Sequence, residues 1–186
     1  MSTVSLASTG GDRRPDNQEA AGGPMYDLIE LFFFAYRDFV GDADRMLENY
    51  GFGRAHHRVL HFVSRAPGLT IAELLEILKI TKQSLNRVLK ELIAEEFIDS
   101  RAGAKDRRHR QLYATPKGER LARDLALLQT RRFSGALGRL GAGAREDATA
   151  FLLAMVDRDE HAGIAERVGI AQPDPLAPKR RQGGPA

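Results

Sequence analysis

Gln83, Asn86, Arg87 and Lys90 place four long or amide-bearing side chains within eight residues. In the major groove of a duplex, arginine or lysine suits guanine, and glutamine or asparagine suits adenine. With Leu85 as the reference and about 100° per helical residue, Gln83, Arg87 and Lys90 face away from Leu85, Val88, Leu89 and Leu92. Asn86 and Ser84 fall on the flanks. Thr81 is suited to cap this helix. Thr81, Lys82 and Ser84 then sit where unpaired amides and the positive dipole end would meet a phosphate. Further on, Arg101, Lys105, Arg107, Arg108 and Arg110 fall within ten residues, offset only by Asp106. Such a cluster is an electrostatic footprint for phosphates. Asp106, two residues before Arg108, predicts a charge-assisted pair that aims the guanidinium at the minor groove or its phosphates. Lys105, Arg107, Arg110 and Arg101 read as phosphate neutralisers. Taken alone, each pattern also describes a solvated helix face or a surface loop. Their succession points to DNA.

These side chains need a frame, and residues 70–115 supply one. Thr70, with Glu73 three residues on, predicts a capping box that opens a helix buried through Ile71, Leu74, Leu75 and Leu78. A very short break leads to the helix from Thr81 to about Glu95. Phe97 to Arg101 and His109 to Thr115 then alternate as two short strands around the basic loop. Helix, tight turn, helix and basic hairpin together describe a winged helix-turn-helix. Upstream, Pro24 is placed to start a helix with Leu28, Leu31, Phe32, Ala35, Phe39 and Val40 on a broad apolar face. A second helix, from about Gly53 to Arg65, turns Val59, Leu60, Phe62 and Val63 inward and stops at Pro67-Gly68. Downstream, a long helix from Thr115-Pro116 carries Leu121, Leu125 and Leu128, and later Leu137 and Leu140. A last helix is expected from about Arg145 to Gly163, with Phe151, Leu152, Met155 and Val156 apolar.

The expected fold class is therefore mainly α with a small β-hairpin: a winged helix-turn-helix between N- and C-terminal dimerisation helices. Residues 1–23 are too polar to pack and are expected to be disordered, and 169–186 form a Pro/Gly tail expected to be flexible. Residues 24–168 make the DNA-binding and dimerisation domain. A length of 186 residues does not demand a second domain. Hydrophobic residues at 42% and charged residues at 28% suit an ordinary globular protein, and a net charge of +3 is only mildly basic. The absence of cysteine excludes disulfides, thiolate metal sites and thiol redox sensing. The densest apolar run, Leu28 to Tyr36, is interrupted by Glu30, so no membrane span is expected. With no signal pattern at the N-terminus, a cytoplasmic location is the expectation. Neither a G-x-S-x-G elbow, an H-E-x-x-H helix nor a phosphate-binding glycine loop occurs. An enzyme is not expected, nor is a cofactor.

The segments GLTIAELLEILKITKQSLNRVLKELI and KDRRHRQLYATPKG, with Asp106 and Arg108 in the second, resemble the MarR family of bacterial transcriptional regulators. By helix order the resemblance covers roughly Pro24 to Gly163. The ATPKG step is similar to the family's L-T-x-x-G passage into its fifth helix, although Tyr113-Ala114 replaces the common leucine. The resemblance implies a homodimer whose first and last helices interlock and which binds a pseudo-palindromic operator in double-stranded DNA. Independently, one helix-turn-helix reads too few bases for a specific site, so pairing is physically expected. A repressor released by a small-molecule effector is the implied action. The alternatives are a winged-helix protein-interaction module and a non-specific architectural DNA binder.

Two other groups invite a function. His57 and His61 share a helix face and His56 adjoins them, but two ligands do not make a metal site, and none is assigned. Asp42, Asp44 and Glu48 lack calcium-loop spacing and read as a solvated helix end. Phe32 to Tyr36 is apolar almost all round its helix, which suggests burial on two sides, in core and dimer interface. The sharper reading sets Phe33, Tyr36, His57 and His61 in a pocket for a lipophilic or aromatic effector, as relatives of this family use. Occupancy would change the spacing of the two recognition helices.

Overall fold

Thr70 and Thr81 set the two central helices, and each does so with its hydroxyl. The computed structural model describes residues 23–103 and 110–170. Thr70 Oγ1 accepts from Glu73 N at 3.3 Å, and Glu73 Oε2 accepts from Thr70 N at 2.7 Å. This reciprocal pair opens α3 (Ile71–Leu78) as the sequence predicts. Lys79 ends the helix in the left-handed region, at φ 51°. Two residues later Thr81 accepts from Ser84 N at 3.2 Å and opens α4 (Lys82–Ala94). A left-handed residue followed by an extended cap turns the chain within three residues, which makes the helix pair tight.

The end of α4 is equally well defined. Phe97 N donates to Leu92 O and Glu96 N to Ile93 O, with Glu96 left-handed at φ 58°. This is a Schellman closure, and it buries Phe97 beside Leu92. The chain then enters β2 (Ile98–Ala102) and returns as β3 (Arg110–Ala114), antiparallel, with Ser100 opposite Leu112. A third strand, β1 (Leu69–Thr70), pairs with the other edge of β3. Two residues carry no alternation to detect, and the sequence reading passes over this strand.

The chain divides after Gln129 into two compact units. In the first, α1 (Tyr26–Glu48) and α2 (Arg54–Arg65) join the central helices and the sheet. Leu47, Val59, Leu60, Val63, Leu74 and Leu85 are among its fully or almost fully buried residues, closed by Leu112 and Leu125. Phe62 is half-buried and packs against this core. α1 is split in character. Val40, Ala43 and Leu47 are buried at helical spacing, whereas Phe32, Phe33, Phe34 and Tyr36 are all exposed in the single chain. Burial on two sides is therefore not a property of one protomer. α5 (Pro116–Leu137) starts in the first unit and crosses the division.

Two expectations for the C-terminal part are corrected. Leu140 lies beyond the end of α5 and is exposed, because Gly138 and Gly141 (φ 91°) break the helix. The single last helix is two, α6 (Ala144–Ala154) and α7 (His161–Val168). Between them runs Val156-Asp157-Arg158-Asp159-Glu160, with Glu160 N donating to Asp157 O in a turn. Aspartates favour turns and are unfavourable at the negative end of a helix, so α6 stops ahead of them. No helix among the described residues is long and apolar enough to cross a membrane.

Candidate nucleic-acid interface

Four buried residues orient α4. Leu85, Val88, Leu89 and Leu92 all lie in the core, so Lys82, Gln83, Asn86, Arg87 and Lys90 are all exposed on the other side. The opposition inferred from angular spacing is thus realised. Thr81 and Ser84 close the helix start on each other. The Thr81 hydroxyl accepts from Ser84 N and donates to Ser84 Oγ at 2.9 Å, so it serves the cap. The first-turn amides of Lys82 and Gln83 have no acceptor within the helix and point out at its positive end.

α2 braces both helices of the pair. Arg58 Nη2 donates to Leu78 O at 3.0 Å, closing the end of α3. His56, two residues earlier, reaches Glu91 on α4 at 2.6 Å. Neither bracing contact is visible as a motif, since each joins residues at least 20 positions apart.

In the hairpin, alternation puts Asp99 and Arg101 on one face of β2, and Gln111 and Tyr113 on the same face of β3. Arg101 Nη2 donates to Asp99 Oδ2 at 3.2 Å, and its guanidinium lies 4.7 Å from the Tyr113 ring centroid. Arg110 donates from Nε to Ser100 Oγ (2.7 Å) and from Nη2 to Ser100 O (2.6 Å). Both arginines are exposed, and each keeps further N–H donors beyond these contacts. Their directions are therefore set within the hairpin itself. Asp99 and Ser100 are missing from the sequence reading, and Tyr113 enters it only as a departure from the family's leucine. The register of the hairpin is the signal that would have found them. Lys105, Asp106, Arg107 and Arg108 lie outside the described residues.

The histidines separate. His56 is buried against the start of α2, while His57 and His61 are half-buried on another face. Burial lowers the His57 pKa below its ordinary value of 6.5, helped by His61 and opposed by Asp44. Burial, then Arg65, lowers that of His61. Asp44 also holds Arg54 of α2 at 2.8 Å, and Asp42 pairs with Arg45, so both aspartates of this helix end are paired. Among the described residues no cluster of three metal-ligating side chains occurs. Phe33 and Tyr36 are exposed on α1.

The lowered histidine values have a definite sign. Between those values and 6.5 the unfolded chain binds more protons than the folded one. This contribution is fully present above about pH 6.5 and is lost as pH falls through the folded values. The thermal midpoint should drop below about pH 6.5, and less steeply in a His57→Gln/His61→Gln variant. Superimposable pH profiles for the two proteins would reject burial of these rings as a source.

Comparison with known proteins adds four findings. Residues 50–109 match the model described as MarR family. The HTH-type transcriptional regulator PetP of Rhodobacter capsulatus is 46% identical over 129 residues, covering 69% of this chain and 78% of that protein. Among solved structures, the transcriptional regulator SlyA is similar with a TM-score of 0.61 at 20% identity, covering 76% of this chain and 99% of that one. S. aureus MepR in its DNA-binding conformation is similar with a TM-score of 0.60 at 21% identity, covering 69% of this chain and 95% of that one.

Proposed function

The chain belongs to the MarR family of transcriptional regulators, and from that premise we propose that Gln83, Asn86, Arg87 and Lys90 read base edges in a duplex operator. The observation that carries this reading is the exposed polar face of α4, held in one orientation by Leu85, Val88, Leu89 and Leu92. Thr81, Lys82 and Ser84 meet a phosphate at the helix start. Arg101 and Arg110, with Lys105 and Arg107, neutralise backbone phosphates, and Arg108, oriented by Asp106, reaches the minor groove or its phosphates. Residues 24–168 form the working unit, and two copies pair through the exposed apolar part of α1. The chain acts in the cytoplasm as a repressor without catalytic activity. A small lipophilic effector against Phe33, Tyr36, His57 and His61 releases it by altering the spacing of the two readers.

Selection of duplexes from a random pool by the wild-type protein gives the operator against which the two groups separate. Gln83→Ala and Arg87→Ala should each lower affinity for that operator by about 10- to 100-fold and relax the preference at one position. Arg101→Ala should weaken all duplexes alike and reduce the salt slope by about one. A protein-interaction module would enrich no duplex. An architectural binder would lose affinity for every sequence equally in all three variants.

A further inference from the structure

His56 differs from its two neighbours in having both ring nitrogens engaged. Gly53 N donates to Nδ1 at 3.1 Å, and Nε2 lies 2.6 Å from Glu91 Oε2. A backbone amide can only donate, so Nδ1 must accept and the ring proton must sit on Nε2, directed at the carboxylate. The ring is also stacked on Phe52, with centroids 4.6 Å apart and planes within 9°. Phe52 is itself part of the core. Position, tilt and tautomer of the imidazole are thus all set at the start of α2.

Glu91 lies one helical turn beyond Arg87 and next to Lys90 on α4. We propose that His56 and Glu91 are a positioning pair that fixes the rotation of α4 about its axis, and so the direction in which Arg87 and Lys90 face the bases. The proposal rests on the reading of α4 as the DNA reader. Apolar burial of Leu85, Val88, Leu89 and Leu92 chooses a face but is non-directional. A hydrogen bond is directional. Rotating a helix by about 20° moves a group at its outer radius of ~6 Å by about 2 Å, more than a hydrogen bond tolerates. The arrangement is also matched by Arg58 of the same helix, which holds the end of α3. α2 therefore grips each helix of the pair by one polar contact, two residues apart on its own sequence.

The test compares Glu91→Ala with Glu91→Gln. Both remove the same charge, and only glutamine can still accept from Nε2–H. The readout is the ratio of affinities for the duplex selected by the wild type and for a shuffled duplex, at one salt concentration and below each variant's unfolding transition. Glu91→Ala should lower the ratio about tenfold, the size of one mismatched base pair, and Glu91→Gln should stay within about twofold. His56→Asn, which keeps an acceptor for Gly53 N but falls short of Glu91, should follow Glu91→Ala. An equal loss in both Glu91 variants assigns the effect to charge, and no loss in either leaves the pair without a positioning role. Either result overturns the proposal, as does a ring ¹⁵N spectrum of the wild-type protein with the proton on Nδ1. A wild type that selects no duplex removes the reading of α4 itself, a failure visible before any variant is made.

Discussion

Gly118→Ala should lower stability by about 2 kcal/mol, reversing the sign normally expected of that change in a helix. In an open helix position alanine is favoured over glycine by ~1 kcal/mol. At Gly118 a Cβ would lie 2.0 Å from Phe97 O and 3.3 Å from Leu60 Cδ1. The carbonyl cannot retreat easily. Phe97 O accepts from Thr115 N at 3.1 Å, and the Phe97 ring lies 4.2 Å beneath Lys117 Nζ. Lys117 Nζ donates to Glu95 O at 2.8 Å, and Thr115 Oγ1 donates to Glu96 O at 2.7 Å. Thr115 Oγ1 also accepts from Gly118 N at 3.1 Å. The start of α5 is thus clamped on the end of α4, and a methyl group would prise them apart. Overpacking of this kind costs about 1–3 kcal/mol, and more where backbone is the obstacle. A thermal melt followed by circular dichroism should show a midpoint lower by roughly 5–10 °C. Gly135→Ala, later in α5 with nothing within 4 Å of its Cβ, should leave the midpoint unchanged or raise it. Parallel behaviour of the two variants would reject the clamp.

That clamp also shows where reading a sequence reaches its limit. Thr115-Pro116-Lys117-Gly118 is visible as a helix start, because proline and a capping threonine act locally. The role of Gly118 is invisible, because it depends on the carbonyl of a residue 21 positions earlier. The same division runs through the whole molecule. Thr70 with Glu73, Thr81 with Ser84, and the stripe from Leu85 to Leu92 are short-range features that periodicity and capping chemistry reveal. β1 exists only because Leu69 and Thr70 meet Leu112 and Gln111. The break between α6 and α7 carried a local signal in Asp157 and Asp159, outweighed in the reading by the apolar run before it.

For the candidate interface, residue types were legible and partnerships were not. Gln83, Arg87 and Lys90 face outward because four neighbours face inward, which is a property of one helix. Arg101 and Arg110 were both expected to neutralise phosphates. That each is held by its own strand or hairpin partner, Asp99 with Tyr113 or Ser100, follows from strand register. His56, His57 and His61 looked like one cluster because they are adjacent in sequence. A helix spreads consecutive residues by about 100°, and only His57 and His61 share a face. His56 turns instead to Glu91 on α4.

Leu31→Glu/Phe34→Glu should convert the protein to a monomer and lower its affinity for the selected operator by about 100-fold or more. Tyr26, Leu28, Ile29, Leu31, Phe32, Phe33, Phe34 and Tyr36 are each at least 44% exposed. Eight large apolar side chains on three turns of helix are more than a stable monomer leaves in water, since burying each contributes roughly 1.5–3 kcal/mol. Residues 31 to 34 are consecutive, so they surround the helix rather than line one face of it. A flat partner would cover half of them; a second copy that wraps the helix covers them all. Neither Leu31 nor Phe34 belongs to the proposed effector pocket, so loss of binding in this variant cannot be ascribed to that pocket. Both are absent from the buried core, and the variant should therefore retain a cooperative unfolding transition. Without pairing, each reader binds one half-site, and the gain of about 10²- to 10⁴-fold from a linked second contact disappears. Sedimentation of the wild type at twice the chain mass of 20.6 kDa, and of the variant at that mass, is the expected result. A wild type that sediments as a monomer would remove the pairing itself, and a variant that stays dimeric would place the contact between copies somewhere other than α1.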